Sequence, residues 1–504
     1  MCMRIWILAR SLGRGSWMTV KQPNCPSRGP ANYFDLVIIG AGPAGMEAAI
    51  SASDVGLAVL LVDQAPLPGG QIYRNLEQAS PAQTKVLGGS YKAGIGLLKR
   101  FRGCQCTYWP LAQVWQVQRL KEQDPNREEY AYEIALLRKQ NSCSVFAKQL
   151  LLANGAMERP MPIKGWQLPG VMTAGAGQIL LKSAALGPER VVLAGSGPLL
   201  LLLAQQYQRA GVDVAAMLDT TPKANYAKAL VWLWVGLLIP KQFLQGLWLT
   251  MRLLFRSNYY SAVTGIEALA DSGEQGNCAT PMHLAQVRFK QAAGWQTIDT
   301  TSLQLHQGLL PQTQMAQLLG LPLQWQTAQQ IWQVGANKAH AKVHVAGDGG
   351  QIGGAYIARL KGRLAALQVV QAASGKSLKR TLQIKCLQVN LARLGLARKL
   401  VDKLYAPAPW LSEPHASTTL CRCEAVSAGT IRAIAEQGCI GVNQMKAFTR
   451  AGMGPCQGRQ CGLAIAQVLA HSQGLPLSDI EPLRPRPPLV PVTLGQLAAH
   501  QRNP

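Results

Sequence analysis

The sequence predicts an α/β fold: two strand–turn–helix units of the doubly wound kind, the first of them discontinuous, followed by a small C-terminal helical domain. Three observations predict it. A buried strand, a glycine turn and a helix follow one another at Tyr33–Gly56, and the same order returns at Val191–Leu218. A strand ending in a glycine-rich turn comes back late, at His344–Ala358, so the first unit closes only after the second has been inserted. Four cysteines near the C-terminus mark a separate module. The 504 residues exceed one core, since domains run to roughly 100–200 residues.

The elements follow in order. The expected organisation is an N-terminal extension over 1–32, a first unit over 33–157 and 301–375, and a second unit over 158–300. A basic linker over 376–415, the cysteine module over 416–475 and a Pro-rich tail over 476–504 complete it. LVIIG and LAVLLVD are continuous apolar runs, the signature of strands buried on both faces of a parallel sheet. Ala112–Arg119 and Tyr130–Leu137 alternate, and the polar EQDPNRE between them predicts a hairpin. EPLRPRPPLVPV is expected to be extended. In the first residues, the apolar run Ile5–Ala9 is too short for a signal-peptide core, and Met18 is an alternative start.

Composition narrows the function classes. Hydrophobic residues make up 48% and charged residues 15%, which excludes a largely disordered chain. Fifty Lys and Arg face twenty-five Asp and Glu, a formal net charge of +25. That balance suits an anionic lipid or acidic partner, or simply a basic surface. No zinc-finger, homeodomain or RNA-binding signature accompanies it, so nucleic acid is not an expected partner. Twelve cysteines, four of them clustered, suit a reducing compartment with one metal or cluster site. No stretch reaches the roughly 20 apolar residues of a membrane span. Ala229–Ile239 and Phe243–Phe255 come nearest; they read either as an interfacial or docking hairpin, with peripheral membrane contact, or as buried helices.

Four motifs carry chemistry. The first is Gly40-Ala41-Gly42-Pro43-Ala44-Gly45, between a buried strand and a helix, with Asp63 18 residues beyond Gly45. In that context Gly40 makes the tight turn, Gly42 admits a pyrophosphate, Gly45 permits close helix–sheet packing, and Asp63 accepts from a ribose hydroxyl. The helix N-terminus favours the anion. The second is Gly347-Asp348-Gly349 at the end of a strand, where a carboxylate meets a helix start. The third is Gly195-Ser196-Gly197-Pro198-Leu199-Leu200, with Asp219 ending the next strand. Leu200 replaces its packing glycine, so this unit reads either as a NAD(P) site or, preferably, as a retained fold that has lost or changed its ligand.

The fourth motif is Cys421-Arg422-Cys423, then Cys456 after 32 residues and Cys461 after four more, in GMGPCQGRQCG. Four thiolates suffice for a 2Fe–2S cluster, and the flanking glycines let backbone N–H groups approach the sulfurs. A helix beginning at Cys461 would favour the negative cluster. Structural zinc is the alternative, though zinc sites more often show C-x2-C pairs. No C-x-x-C redox pair stands near the first unit; Cys104-Gln105-Cys106 has the wrong spacing and no helix start. His306 is a lone histidine in an expected strand and reads as structural. No acid/base set for substrate oxidation is visible.

On these residues the chain resembles the A, or alpha, subunits of multi-subunit opine oxidases, the alpha chain of D-hydroxyproline dehydrogenase and the corresponding subunit of hydrogen cyanide synthase. The resemblance runs from about Asp35 to Ala498. It rests on DLVIIGAGPAGMEAA, PGGQIYR, NGAMERPMPIKGWQLPGVMTAGAGQ, LAGSGPLLL, HQGLLPQTQ, VAGDGGQIGGA, CRCEAV and NQMKAFTRAGMGPCQGRQCG. The two nucleotide units resemble those of glutathione-reductase-like flavoproteins, and the cysteine module the bacterioferritin-associated-ferredoxin type. The resemblance implies FAD at Gly40, Gly42, Pro43, Ala44, Gly45, Asp63, Gln64, Gly70, Gln71, Gly347 and Asp348, and a 2Fe–2S cluster at Cys421, Cys423, Cys456 and Cys461. Gly195 and Gly197 are the residues for any second nucleotide. Asn154 departs from the usual Thr of its turn. The implied partner is a catalytic B or beta-type flavoprotein subunit, with a small third subunit as a further expectation.

The expected function is therefore an FAD- and 2Fe–2S-containing electron-transferring subunit, in a cytoplasmic complex acting on C–N bonds of an opine, imino acid or amino acid. Peripheral attachment to the inner face of the plasma membrane is a further expectation. A stand-alone NAD(P)H-dependent flavin reductase and a non-catalytic scaffold are the competing readings.

Overall fold

The computed structural model describes residues 32–120, 130–139, 141–238, 258–271, 282–335, 342–375 and 377–500. Its first sheet has seven strands. In spatial order Thr107–Trp109, Val59–Val62, Tyr33–Ile39 and Asn141–Leu152 run parallel, and Tyr132–Arg138 and Ala112–Arg119 add antiparallel strands. Val343–Val345 joins the far half of Asn141–Leu152 in parallel, with Val345 beside Leu152. The apolar run of Tyr33–Ile39 is sealed on both faces: Leu36, Val37 and Ile38 have no exposure. Burying such side chains contributes about 1.5–3 kcal/mol each.

The helix Pro43–Ser53 starts at Gly42, which offers no side-chain cap, and Pro43 occupies its first turn without losing a hydrogen bond. It packs against the late helix Ala355–Ser374. The crossing is so close that a methyl group at Gly362 would overlap the Ala44 carbonyl oxygen. Glycine at position 362 is therefore what lets the returning segment lie on the glycine-turn helix.

The second sheet is parallel among its described strands, ordered Tyr259–Tyr260, Asp213–Asp219, Arg190–Ser196, Leu303–Gln307 and Val171–Thr173. An antiparallel layer of Gly265–Ala270, Leu284–Gln291 and Gly294–Asp299 packs beside it. The expected return to the first unit at residue 301 is corrected here. Leu303–Gln307 hydrogen-bonds between Arg190–Ser196 and Val171–Thr173, so it belongs to the second sheet and the chain crosses back after it. Its five residues are all buried, as a central parallel strand requires.

The segment 376–415, expected as a linker, holds a 27-residue helix, Leu378–Leu404. Leu394, Ala397 and Leu400 recur at helical spacing and are buried, while Lys399 between them is exposed. That stripe, obscured by the charge, makes the segment a helix. In the Trp-rich stretch, Leu230, Val231 and Trp234 are exposed; residues 239–257 lie outside those described. So does the extension over 1–31.

The cysteine module is built from the helices Ala428–Glu436, Val442–Thr449 and Gly462–Gln473 around a small core of Leu420, Ile431, Met445, Ile465 and Leu469. The tail continues past it and returns to the first unit: Leu489 N–H donates to the Trp115 carbonyl at 2.7 Å, and Val490 packs with Trp115 and Ala135. The tail also contains a short helix, Leu494–Ala498.

Candidate functional site

The first glycine turn sits at the carboxyl edge of the first sheet, where the strands end and the helices begin. Gly40 has φ +109, a backbone that side chains rarely adopt. A methyl group at Gly45 would overlap the Gly40 carbonyl oxygen, so only glycine lets the helix pass this close to the strand. The segment Pro68–Arg74 folds over the turn: Gly69 N–H donates to the Ala41 carbonyl at 2.8 Å, and Gly70 lies against Gly42. The first turn of the helix carries no acidic residue, so its free N–H groups and positive end suit an anion.

Asp63 ends the neighbouring strand and accepts from Ala41 N–H at 2.5 Å and from Ala65 N–H at 2.6 Å. Burial raises its pKa, and these two amides together with the Arg74 charge oppose that rise. Each carboxylate oxygen keeps lone-pair capacity for a ribose hydroxyl. Gln64 beside it is exposed. Asp348 lies at the end of the returning strand and accepts from Gly353 and Gly354 N–H at 2.8 and 3.0 Å. Gly347 faces Ala44 of the first helix. The fold therefore brings Gly40, Gly42, Pro43, Ala44, Gly45, Asp63, Gly70, Gly347 and Asp348 to one edge.

Lys182, a residue the sequence did not single out, reaches this edge from the second unit. Its ammonium is buried and donates to the Gln71 carbonyl at 3.0 Å and to Gln178 Oε1 at 2.8 Å. Burial, with the nearby Arg74 charge, lowers its pKa to about 7. Its helix, Ala174–Ala184, starts where Gly175 N–H donates to Glu158 Oε2 at 2.7 Å. No local pattern signals a lysine whose partner lies 111 residues away.

The second glycine turn is differently furnished. Gly195 and Gly197 lie against His306, and the His306 ring is 3.3 Å from where a Gly197 methyl would stand. His306 Nδ1 meets Glu158 Oε1 at 2.6 Å, and both side chains are buried. Leu200 is buried in the core instead of leaving space for a close helix. The Asp219 carboxylate is already engaged by Thr221 N–H at 2.9 Å, by the Tyr226 hydroxyl at 3.2 Å and by the Tyr259 hydroxyl.

In the C-terminal module, the sulfurs meet in successive pairs. Cys423 and Cys456 lie 3.7 Å apart. Cys461 donates to Cys421 and Cys456; this raises its own pKa and lowers theirs, to about 6 and about 5. Cys421 and Cys461 are buried and Cys423 is exposed, so the group opens to the surface on one side. Cys461 caps the helix Gly462–Gln473, placing a helix N-terminus at the sulfurs. Among the described residues no group of three or more His, Cys, Asp or Glu side chains is placed to hold a metal ion. Leu483 of the tail lies over Gly452, Gly458 and Gly462, and Arg459 Nη2 donates to the Leu489 carbonyl at 3.0 Å.

Residues 34–227 match the pyridine nucleotide-disulphide oxidoreductase family and residues 419–501 the sarcosine oxidase A3 domain. The opine oxidase A subunit of Rhizobium meliloti (strain 1021) is 35% identical over 477 residues, 93% of this chain and 99% of that one. The chain belongs to the family of opine oxidase A subunits. Another member, from Agrobacterium tumefaciens (strain Ach5), is 36% identical over 93% of this chain and 92% of its own. Hydrogen cyanide synthase subunit HcnB of Pseudomonas protegens is 30% identical over 90% of this chain and 96% of its own. The L-proline dehydrogenase from P. horikoshii shares the fold, with a TM-score of 0.66 at 18% identity over 92% of this chain and 79% of that one. This opine oxidase-type chain is an FAD-dependent oxidoreductase subunit. Among the described residues of this family member, no helix is long and apolar enough to cross a membrane.

Proposed function

We propose that this chain is the electron-transferring subunit of a complex that oxidises the C–N bond of an opine, imino acid or amino acid, with the substrate-oxidising site on a partner flavoprotein subunit. In this reading FAD occupies the first glycine turn, and a 2Fe–2S cluster is held by Cys421, Cys423, Cys456 and Cys461. The observation that carries it is Cys461 at the N-terminus of the helix Gly462–Gln473, with Cys423 and Cys456 3.7 Å apart, in a chain that also builds the dinucleotide edge. The donor set fits the cluster: two thiols acidified by their neighbours, soft ligands only, and pairwise contacts suited to a binuclear group. When bound, the flavin exchanges electrons in pairs or singly and the cluster exchanges them singly.

The chain's own residues do the holding. Gly42 admits the pyrophosphate, the first helix turn offers it N–H groups, and Asp63 accepts from the ribose. Asp348, braced by Gly353 and Gly354, faces the ribityl end. Exposed Cys423 gives the cluster an outlet toward a partner. The engagement of Asp219 by Tyr226 and Tyr259 favours this reading over a nicotinamide-dependent reductase, whose ribose would need that carboxylate. Cytoplasmic assembly with the catalytic flavoprotein, joined by a small third subunit, completes the proposal.

The test is anaerobic purification with iron and flavin supplied, followed by iron, sulfide and flavin analysis and visible spectra. Flavin and two irons with two sulfides per chain are expected from the four-thiolate set. C456S should lose the iron and keep the flavin. A correctly folded but colourless protein overturns the proposal, and so does rapid bleaching of the flavin by NADH without a partner.

A further inference from the structure

Cys104 and Cys106 lie outside both cofactor regions, in the loop between the helix Ile95–Arg102 and the strand Thr107–Trp109. Their spacing excludes them from the C-x-x-C class, yet the fold brings their sulfurs to 3.3 Å. Unbonded sulfurs have no need to be so close, and a disulfide at about 2.05 Å lies little more than 1 Å away. Both thiols are half-buried, and Gln105 between them is exposed. Gly103 ends the helix, and the strand ladder begins only at Thr107, so no ladder restrains the two cysteines. A hydrogen bond from Cys106 holds the Cys104 thiol down to about 7, while that bond and burial raise Cys106. Cys104 is therefore the better nucleophile at neutral pH and Cys106 the resolving thiol.

The pair is also separate from the flavin edge. It sits at the amino end of Thr107–Trp109, whereas the carboxyl end of that strand, at Trp109, accepts from Asp63 N–H at 3.0 Å. The sulfurs lie at the opposite edge of the sheet from the glycine turn.

We propose that Cys104 and Cys106 form a reversible redox modification site, closed to an intramolecular disulfide by a low-molecular-weight disulfide. The Cys104 thiolate attacks one sulfur of the small disulfide and expels the other half as a thiolate. Cys106, deprotonated, then attacks Cys104 Sγ and expels the second half. The protein dithiol loses two electrons and two protons; the small disulfide gains both and leaves as two thiols. A ring spanning only one intervening residue is strained, which places the bond among the easily reduced, labile disulfides.

The test uses the full-length protein with its cofactors, equilibrated in mixtures of reduced and oxidised glutathione, alkylated and digested with trypsin. The peptide Gly103–Arg119 carries both cysteines and no other. As the mixture becomes oxidising, this peptide should pass from doubly alkylated to unalkylated, two hydrogens lighter and free of glutathione. C106S should collect glutathione on Cys104 at least about tenfold more than wild type, because the resolving thiol is gone. A wild-type peptide that stays doubly alkylated, or that retains glutathione to the level of C106S, overturns the proposal.

Discussion

Gly42 and Gly45 stand on the same turn, yet their roles separate. A methyl group on Gly45 collides with backbone, whereas one on Gly42 meets only Gly70 Cα at 3.9 Å. G45A should therefore unseat the helix and cost about 2–4 kcal/mol, with loss of FAD. G42A should leave apo-protein stability within about 0.5 kcal/mol while weakening FAD by at least about tenfold, because the methyl stands where the pyrophosphate must approach. Calorimetry on apo-protein and flavin titration separate the two; equal flavin affinity in G42A and wild type would count against the assigned turn. Lys182 gives a pH signature. In the unfolded chain it keeps its proton to about 10.5, and in the folded protein it releases it near 7. Between these values the unfolded state binds the extra proton, so this group's contribution to stability rises with pH by about 1.4 kcal/mol per unit, and it is flat below 7. Denaturant unfolding of wild type and K182M at pH 7 and 9 reads it. The stability of wild type relative to K182M should increase between the two pH values, and a constant difference refutes the buried ammonium.

At the scale of elements, Glu158 ties three of them. It ends the short strand Ala156–Glu158, accepts Gly175 N–H at the start of the helix Ala174–Ala184, and meets His306 on the strand Leu303–Gln307. E158A leaves a buried histidine and a half-buried helix N–H without their partner, at a cost of about 2–4 kcal/mol by chemical denaturation. E158Q, which keeps an acceptor for Gly175, should recover at least half of that loss. Equal losses in the two variants would mean that the carboxylate charge, and not the acceptor that Gln retains, holds the bridge there. The same bridge explains why His306 reads as a lone residue in the sequence: its partner is 148 positions away.

For the whole molecule, the tail is a strap. It lays Leu483 over the cysteine loop, takes Arg459 on the Leu489 carbonyl and ends against Trp115 of the first unit. A chain ending at Ile480 should fold its flavin domain but release the iron of the proposed cluster to a chelator several-fold faster, because the loop carrying Cys456 loses its cover. Iron release at the wild-type rate, with the flavin retained, would show the tail to be dispensable for the loop. Extended proline-rich sequence gives no hint of this contact; its value lies in which distant surface it meets.

Local pattern carried much of this protein. The apolar runs, the glycines of the first turn, Asp63 and the spacing of the four cysteines were all legible, because each obeys a short-range rule: strand burial, turn geometry, helix N-terminus, ligand number. The tertiary structure decided what those rules cannot reach. It placed Leu303–Gln307 in the second sheet, buried Lys182 between the units and brought Cys104 within contact of Cys106. Each of these depends on partners far apart in the chain, or on a side-chain direction that spacing alone leaves open. Periodicity and spacing report what a segment can do by itself; burial and long-range contact are properties of the assembled core.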